Sequence, residues 1–197
     1  MKLYSIMLFN KVNDNAVTLA SAYYLNDFMF WERSSARDII RFVSREVVNR
    51  LQLGSRDSII HQGHLCHAYV RFDNLSCAII SDEEYPQRVV FTLIHDIINK
   101  FEFKEFPWKN VISDTEFTFD CLKELLIEFQ DPKEADKLLK IQEDLDQTKE
   151  TVIRTIDQLF DRGEKLEILA AKSDDLSFQS RVFVDKSKDM NSCCVIL

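Results

Sequence analysis

The chain has few residues that break helices or force turns. Among its 197 residues there are three glycines and three prolines. Long helices are therefore open to it. It has no apolar run approaching the roughly 18 residues that a transmembrane helix needs. The first ten residues are partly apolar but lack a charged leader and a small-residue cleavage site. No signal peptide is expected from them. Positive charge is in deficit: 25 Lys and Arg against 33 Asp and Glu leave a net charge of −8. That balance argues against a general nucleic-acid binder. The glycine-rich phosphate loop, the dinucleotide glycine fingerprint and the serine nucleophile elbow are all missing. Nothing therefore points to nucleotide or acyl-transfer chemistry. Five cysteines without a secretory signal read as reduced, cytosolic thiols. There are no internal repeats and no low-complexity runs.

What the chain does have is apolar content, 46% with 15 Phe, enough for a sizeable core. Residues 2–9 and 17–24 alternate around an Asn13-Asp14-Asn15 turn signal and predict an antiparallel hairpin. Ser34 and Ser35 look like caps of a helix running to about Leu51. Its stripe of Ile40, Val43, Val47 and Leu51 should face a sheet. Ile39 and Phe42 lie to one side of that stripe, either widening the core face or forming an apolar lip for another segment. Residues 58–61, 64–72 and 75–81 read as a three-stranded meander, joined at Gln62-Gly63 and Asp73-Asn74. Helices are expected over residues 87–101 and 115–129. This order predicts an α+β domain over residues 1–130, a five-stranded antiparallel sheet with helices on both faces. A linker, 131–137, follows.

Residues 138–190 then carry a coiled-coil period. Leu138, Ile141, Leu145, Thr148, Val152, Thr155 and Leu159 alternate in steps of three and four. The alternation continues through Arg162, Leu166, Leu169, Ser173, Leu176, Ser180, Phe183, Ser187 and Met190. One cation, Arg162, stands at the centre of this apolar seam. A buried guanidinium has five N–H donors and no acceptor, so partner helices must bring acceptors to its level. A polar core position fixes register and partner choice. With small serines after the arginine, the seam should be a weak homodimer and a better member of a mixed bundle.

His61, His64, Cys66 and His67 crowd together, but His67 should point to the opposite strand face from His64 and Cys66. No paired ligand motif accompanies them, so no metal, cofactor or catalytic residue is expected. A Cys–His nucleophile pair has no preferred member among Cys66, Cys77 and Cys121. The C-terminus is more specific. Cys194-Val195-Ile196-Leu197 is a prenylation signal, and Leu197 favours geranylgeranyl by the usual rule. Cys193 is placed for a second lipid such as palmitate. One lipid chain binds membranes reversibly and two give a stable anchor.

The run Leu159, Phe160, Asp161, Arg162, Gly163, Glu164, Lys165, Leu166 resembles the centre of an arginine-class SNARE helix of the synaptobrevin group. Residues 30–35 (Phe-Trp-Glu-Arg-Ser-Ser), the Glu84-Tyr85-Pro86 step and the order of elements resemble a longin, or profilin-like, domain. With the Cys193-Cys194 tail, 191–197, the whole chain is similar to a lipid-anchored, Ykt-type R-SNARE. The resemblance implies vesicle docking and fusion through a parallel four-helix bundle with three glutamine-class helices. Arg162 would form the central ionic layer. Leu138, Ile141, Leu145, Val152, Leu159, Leu166, Leu169, Leu176, Phe183 and Met190 would form the other core layers. It implies a prenyl group on Cys194 and a second lipid on Cys193, although family members commonly end in methionine and this chain ends in Leu197. It implies a closed cytosolic form in which the longin domain, through a groove that includes Phe42, folds back on the SNARE segment. It also implies residence on the cytoplasmic face of Golgi, endosomal, vacuolar or ER-derived membranes. The off-seam residues Ile153, Ile156, Phe160, Ile168 and Phe178 could serve the docked state. Two other readings are a prenylated adaptor whose heptads only dimerise it, and a thiol or metal enzyme built on Cys66.

Overall fold

A computed structural model of the chain describes residues 1–13, 15–104, 106–115, 117–131, 152–160, 164–174 and 176–182. The element order is β1 (Leu3–Val12), β2 (Asn15–Tyr23), α1 (Arg33–Arg50), β3 (Arg56–His61), β4 (His64–Val70), β5 (Leu75–Asp82) and α2 (Gln87–Glu102). A 3-10 turn (Trp108–Asn110), α3 (Cys121–Glu128), β6 (Ile153–Thr155), α4 (Ile156–Leu159) and α5 (Leu166–Lys172) follow. The strands form one sheet in the order β2-β1-β5-β4-β3-β6. β1 is an interior strand, paired antiparallel with β2 and β5, and its nearly unbroken apolar run is buried on both faces.

Strand alternation divides the core in two. Ile6, Leu8, Cys77 and Ile79 point to one face and pack under α2 and α3, with Val90, Leu93, Ile94, Ile97, Leu122 and Leu126. Met7, Phe9, Cys66, Ala68, Ala78 and Ile80 point to the other, under Ile40, Val43 and Val47 of α1. This is the α+β arrangement expected of a longin domain. The β3–β4 hairpin turns at Gln62 and Gly63, whose φ values of 48° and 73° match a primed two-residue turn.

Four expectations change. The sheet has six strands rather than five, because residues 153–155 add a parallel strand at the β3 edge. The third helix starts at Cys121, not at residue 115. Thr115 and Phe117 instead bond to β2, Thr115 N–H to Thr18 O at 2.9 Å and Phe117 N–H to Leu19 O at 3.0 Å. Thr115, Phe117 and Phe119 alternate with polar residues, a period of two that suits an open sheet edge better than a helix. Ser34 and Ser35 do not cap α1. Glu32 holds the cap position without a side-chain bond, and Ser35 is buried inside the helix. Finally, the described part of the heptad region is a strand and short helices rather than one continuous helix. Residues 153–155 take the hydrogen-bonding edge of β3, while Ile156, Phe160, Leu166, Ala170 and Leu176 pack into the apolar cluster under α1.

Candidate functional site

The site is the interface between the domain and residues 152–182. It begins at β3, which without β6 would be an open edge. Ser58, Ile59 and Ile60 pair with Ile153, Arg154 and Thr155. Arg154 reaches the Asp57 carboxylate at 3.2 Å. Burial raises that carboxyl and Arg154 partly offsets the effect. Thr155 N–H then donates to Gln158 Oε1 at 3.0 Å, which starts α4.

From α4 the chain runs along α1, opposite to its direction. Ile156, Phe160, Leu166, Ala170 and Leu176 are buried in the same apolar cluster as Phe42, Val43 and Val47, with Ile39, Leu159 and Leu169 partly buried against it. Near the C-terminal end of α1, Arg50 grips the segment. Its guanidinium lies 4.3 Å above the Phe160 ring centre and reaches Glu164 at 3.1 Å, while Glu46 holds it from the preceding turn. Near the N-terminal end, the Ser180 hydroxyl donates to Asp38 Oδ2 at 2.8 Å, and Ser180 is fully buried. Ser177 supports it through an Oγ–Oγ contact of 2.7 Å.

The expected site residues therefore fall into three groups. Leu166 and Leu176 are buried, Leu159 and Leu169 partly buried, and Val152 is exposed. Ile39 and Phe42 sit in the same cluster as the segment. Leu138, Ile141, Leu145, Arg162, Phe183, Met190, Cys193 and Cys194 lie outside the described residues. Of the off-seam residues, Ile156 and Phe160 are buried, whereas Ile153, Ile168 and Phe178 are exposed. The residues that clamp the segment, Asp38, Arg50, Asp57 and Arg154, carry no local signal of that role. Only the Glu46–Arg50 pair, four residues apart, is readable from spacing.

Among the described residues no three His, Cys, Asp or Glu side chains converge on a metal position. Cys66 faces the α1 side, where burial pushes its thiol up to about 12. His67 points to the α2 side, edge-on to Phe91. Its Nδ1 is 2.8 Å from Ser58 Oγ and its Nε2 is 3.1 Å from Ser81 Oγ. Ser81 donates its own proton to Asp82 O, so His67 Nε2–H is the donor there and Ser58 donates to Nδ1. This neutral imidazole stitches β3, β4 and β5 together.

The domain and its docked tail segment correspond to two family models. One, described as a regulated-SNARE-like (longin) domain, matches residues 25–121. The other, described as synaptobrevin, matches residues 137–196. Over the full length the chain is 43% identical to a YKT6 synaptobrevin homologue of Dictyostelium discoideum, covering 98% of each. It is 38% identical to the synaptobrevin homologue YKT6 of Debaryomyces hansenii and 37% to that of Schizosaccharomyces pombe, covering 100% of each chain. The chain belongs to the YKT6 family of synaptobrevin homologues. Like the rest of that family it is a longin-domain SNARE of vesicle trafficking, and the family is not an enzymatic one. Among the described residues no helix is long and apolar enough to cross a membrane.

Proposed function

We propose that this YKT6-family chain is an R-SNARE for vesicle docking and fusion, and that its longin domain holds the SNARE segment closed until partners are present. The observation that carries the closed form is a conflict of use. Leu166, Leu176 and Ser180 are seam positions of the heptad pattern, and all three are buried against the domain. A side chain cannot fill the domain cluster and a bundle core at once, so docking and zippering exclude each other. Anything that binds only the open form shifts the population towards it.

In the open form the segment zips with three glutamine-class helices, with Arg162 at the central layer and Leu138, Ile141, Leu145, Val152, Leu159, Leu166, Leu169, Leu176, Phe183 and Met190 around it. Cys194 carries the prenyl group and Cys193 the second lipid, which hold the chain on the cytoplasmic face of Golgi, endosomal, vacuolar or ER-derived membranes. No bound cofactor is part of this scheme.

The test mixes the 1–192 chain with glutamine-class SNARE helices and assays a detergent-resistant complex. Arg50→Glu, which leaves the SNARE segment unchanged, should speed its formation. Arg162→Leu should weaken the complex. No complex with any partner set would return the chain to an adaptor role.

A further inference from the structure

The loop between β2 and α1 turns its apolar residues outward. Glu32 N–H donates to Met29 O at 2.9 Å, so Phe30 and Trp31 are the two central residues of a tight turn. The turn is held from behind. Met29 N–H donates to the Glu32 carboxylate at 3.2 Å, and Arg33 Nε donates to Phe28 O at 3.2 Å. Leu25 is buried and Phe28 packs edge-on against Tyr4, with centroids 6.2 Å apart. The side chains in front are not tucked in: Met29, Phe30 and Trp31 are 58%, 84% and 72% exposed. Three consecutive large apolar residues on a fixed, convex tip add nothing to the core, and such patches mark contact surfaces.

Charge and position narrow the partner. Arg33 and Arg37 follow the tip at four-residue spacing along one side of α1, with Arg37 exposed over the Tyr23 ring at 5.2 Å. Of the neighbouring acids, Asp27 is ion-paired with Lys2, and Glu32 and Asp38 are turned towards the Met29 N–H and the Ser180 hydroxyl. The Ser180–Asp38 bond also places the exit of the C-terminal segment at this end of α1. Phe178, 81% exposed, lies two residues before it. Residues 183–197 follow, and 15 residues can span up to about 50 Å. The tail can thus reach any membrane on which the tip rests.

We propose that the Met29–Phe30–Trp31 tip, with Arg33 and Arg37 beside it, docks the folded domain on an anionic phospholipid surface. The aromatic rings enter the headgroup boundary, where such side chains partition favourably, and the arginines meet lipid phosphates. This contact belongs to the folded domain and does not depend on the lipids of the tail.

The test uses the full chain without lipid modification and vesicles of phosphatidylcholine with or without phosphatidylserine. Of the two tryptophans, Trp108 is buried, so in a Trp108→Phe variant the emission reports Trp31. Emission should shift to shorter wavelength on phosphatidylserine vesicles, and less so at high salt. Phe30→Ser with Trp31→Ser should lower vesicle co-sedimentation by about tenfold or more. The melting temperature should not change, because both side chains are exposed. Arg37→Glu, at an exposed side chain that does not hold the turn, should also weaken binding. No shift and no co-sedimentation would overturn the proposal, as would equal binding to vesicles without phosphatidylserine. A shift that grows with protein concentration in the absence of vesicles would assign the tip to a second copy and overturn it too. The unlipidated chain separates this test from the anchoring reading, which would fail only if lipidated chain stayed off membranes.

Discussion

Replacing Phe160 by alanine is expected to loosen the docked segment while leaving the bundle seam intact. Phe160 is buried, with Arg50 above its ring, yet it lies between the seam positions Leu159 and Arg162. A buried Phe→Ala change costs roughly 3–5 kcal/mol in a rigid core. A segment that can settle around the gap should show the lower end, about 3 kcal/mol, and this figure already contains the ~0.5–1 kcal/mol of the cation–π contact. At 1.4 kcal/mol per factor of ten, the closed-to-open ratio should fall about 100-fold. If opening limits assembly, the rate of complex formation with labelled glutamine-class helices should rise by a similar factor, until the closed form ceases to dominate. Hydrogen exchange of residues 153–155 and of the β3 edge should accelerate in parallel. Faster exchange with unchanged assembly would refute the gate while leaving the docking. If neither quantity changed, Phe160 would not help to hold the segment at all.

Three further outcomes are expected. Burial holds the His67 imidazole down at about 4, so folded chain stays neutral where unfolded chain protonates near 6.5. Its stabilising contribution is therefore complete above about pH 6.5 and is lost as pH falls towards 4, by about 2–3 kcal/mol; denaturant titrations from pH 7.5 to 4.5 should show this slope, and His67→Asn should flatten it. Gly54 has φ +75°, and an added Cβ would lie 2.2 Å from the Phe72 ring, whereas Gly63 at φ +73° has nothing within 4 Å. Both Gly→Ala changes should lose about 1–2 kcal/mol through the backbone, and any excess at Gly54 in thermal melts measures what moving exposed Phe72 costs. Ser180→Asp would place a second carboxylate against Asp38 in a buried position, which should cost about 3 kcal/mol or more and release the end of the segment; unchanged exchange of residues 178–182 would count against that contact.

How far the fold was legible depended on how local its causes were. The helices α1 and α2 were readable within one or two residues, because their apolar stripes lie inside single periodic windows. The hairpin at Gln62-Gly63 was readable for the same reason. Thr115 and Phe117 fall inside a stretch whose composition predicts helix, although its alternation favours a strand. What decides them is the β2 edge, which lies far off in sequence and takes their N–H groups. The charged clamps at Arg50, Asp57 and Asp38 depend on which surfaces meet, and no spacing rule announces them.

The sequence by itself determined the sheet's alternation and the two long helices of the domain, and it carries the three-four spacing around Arg162 and the cysteine pair at the tail. All of these are periodicities or short motifs, written in neighbouring residues. Only the tertiary structure decided that residues 153–155 extend the sheet and that Leu166, Leu176 and Ser180 lie against α1. It also decided that Phe30 and Trp31 stand out in solvent. A heptad pattern specifies which face is apolar but not which surface covers it. That choice is made by whichever unpaired strand edge and apolar cluster the rest of the chain presents.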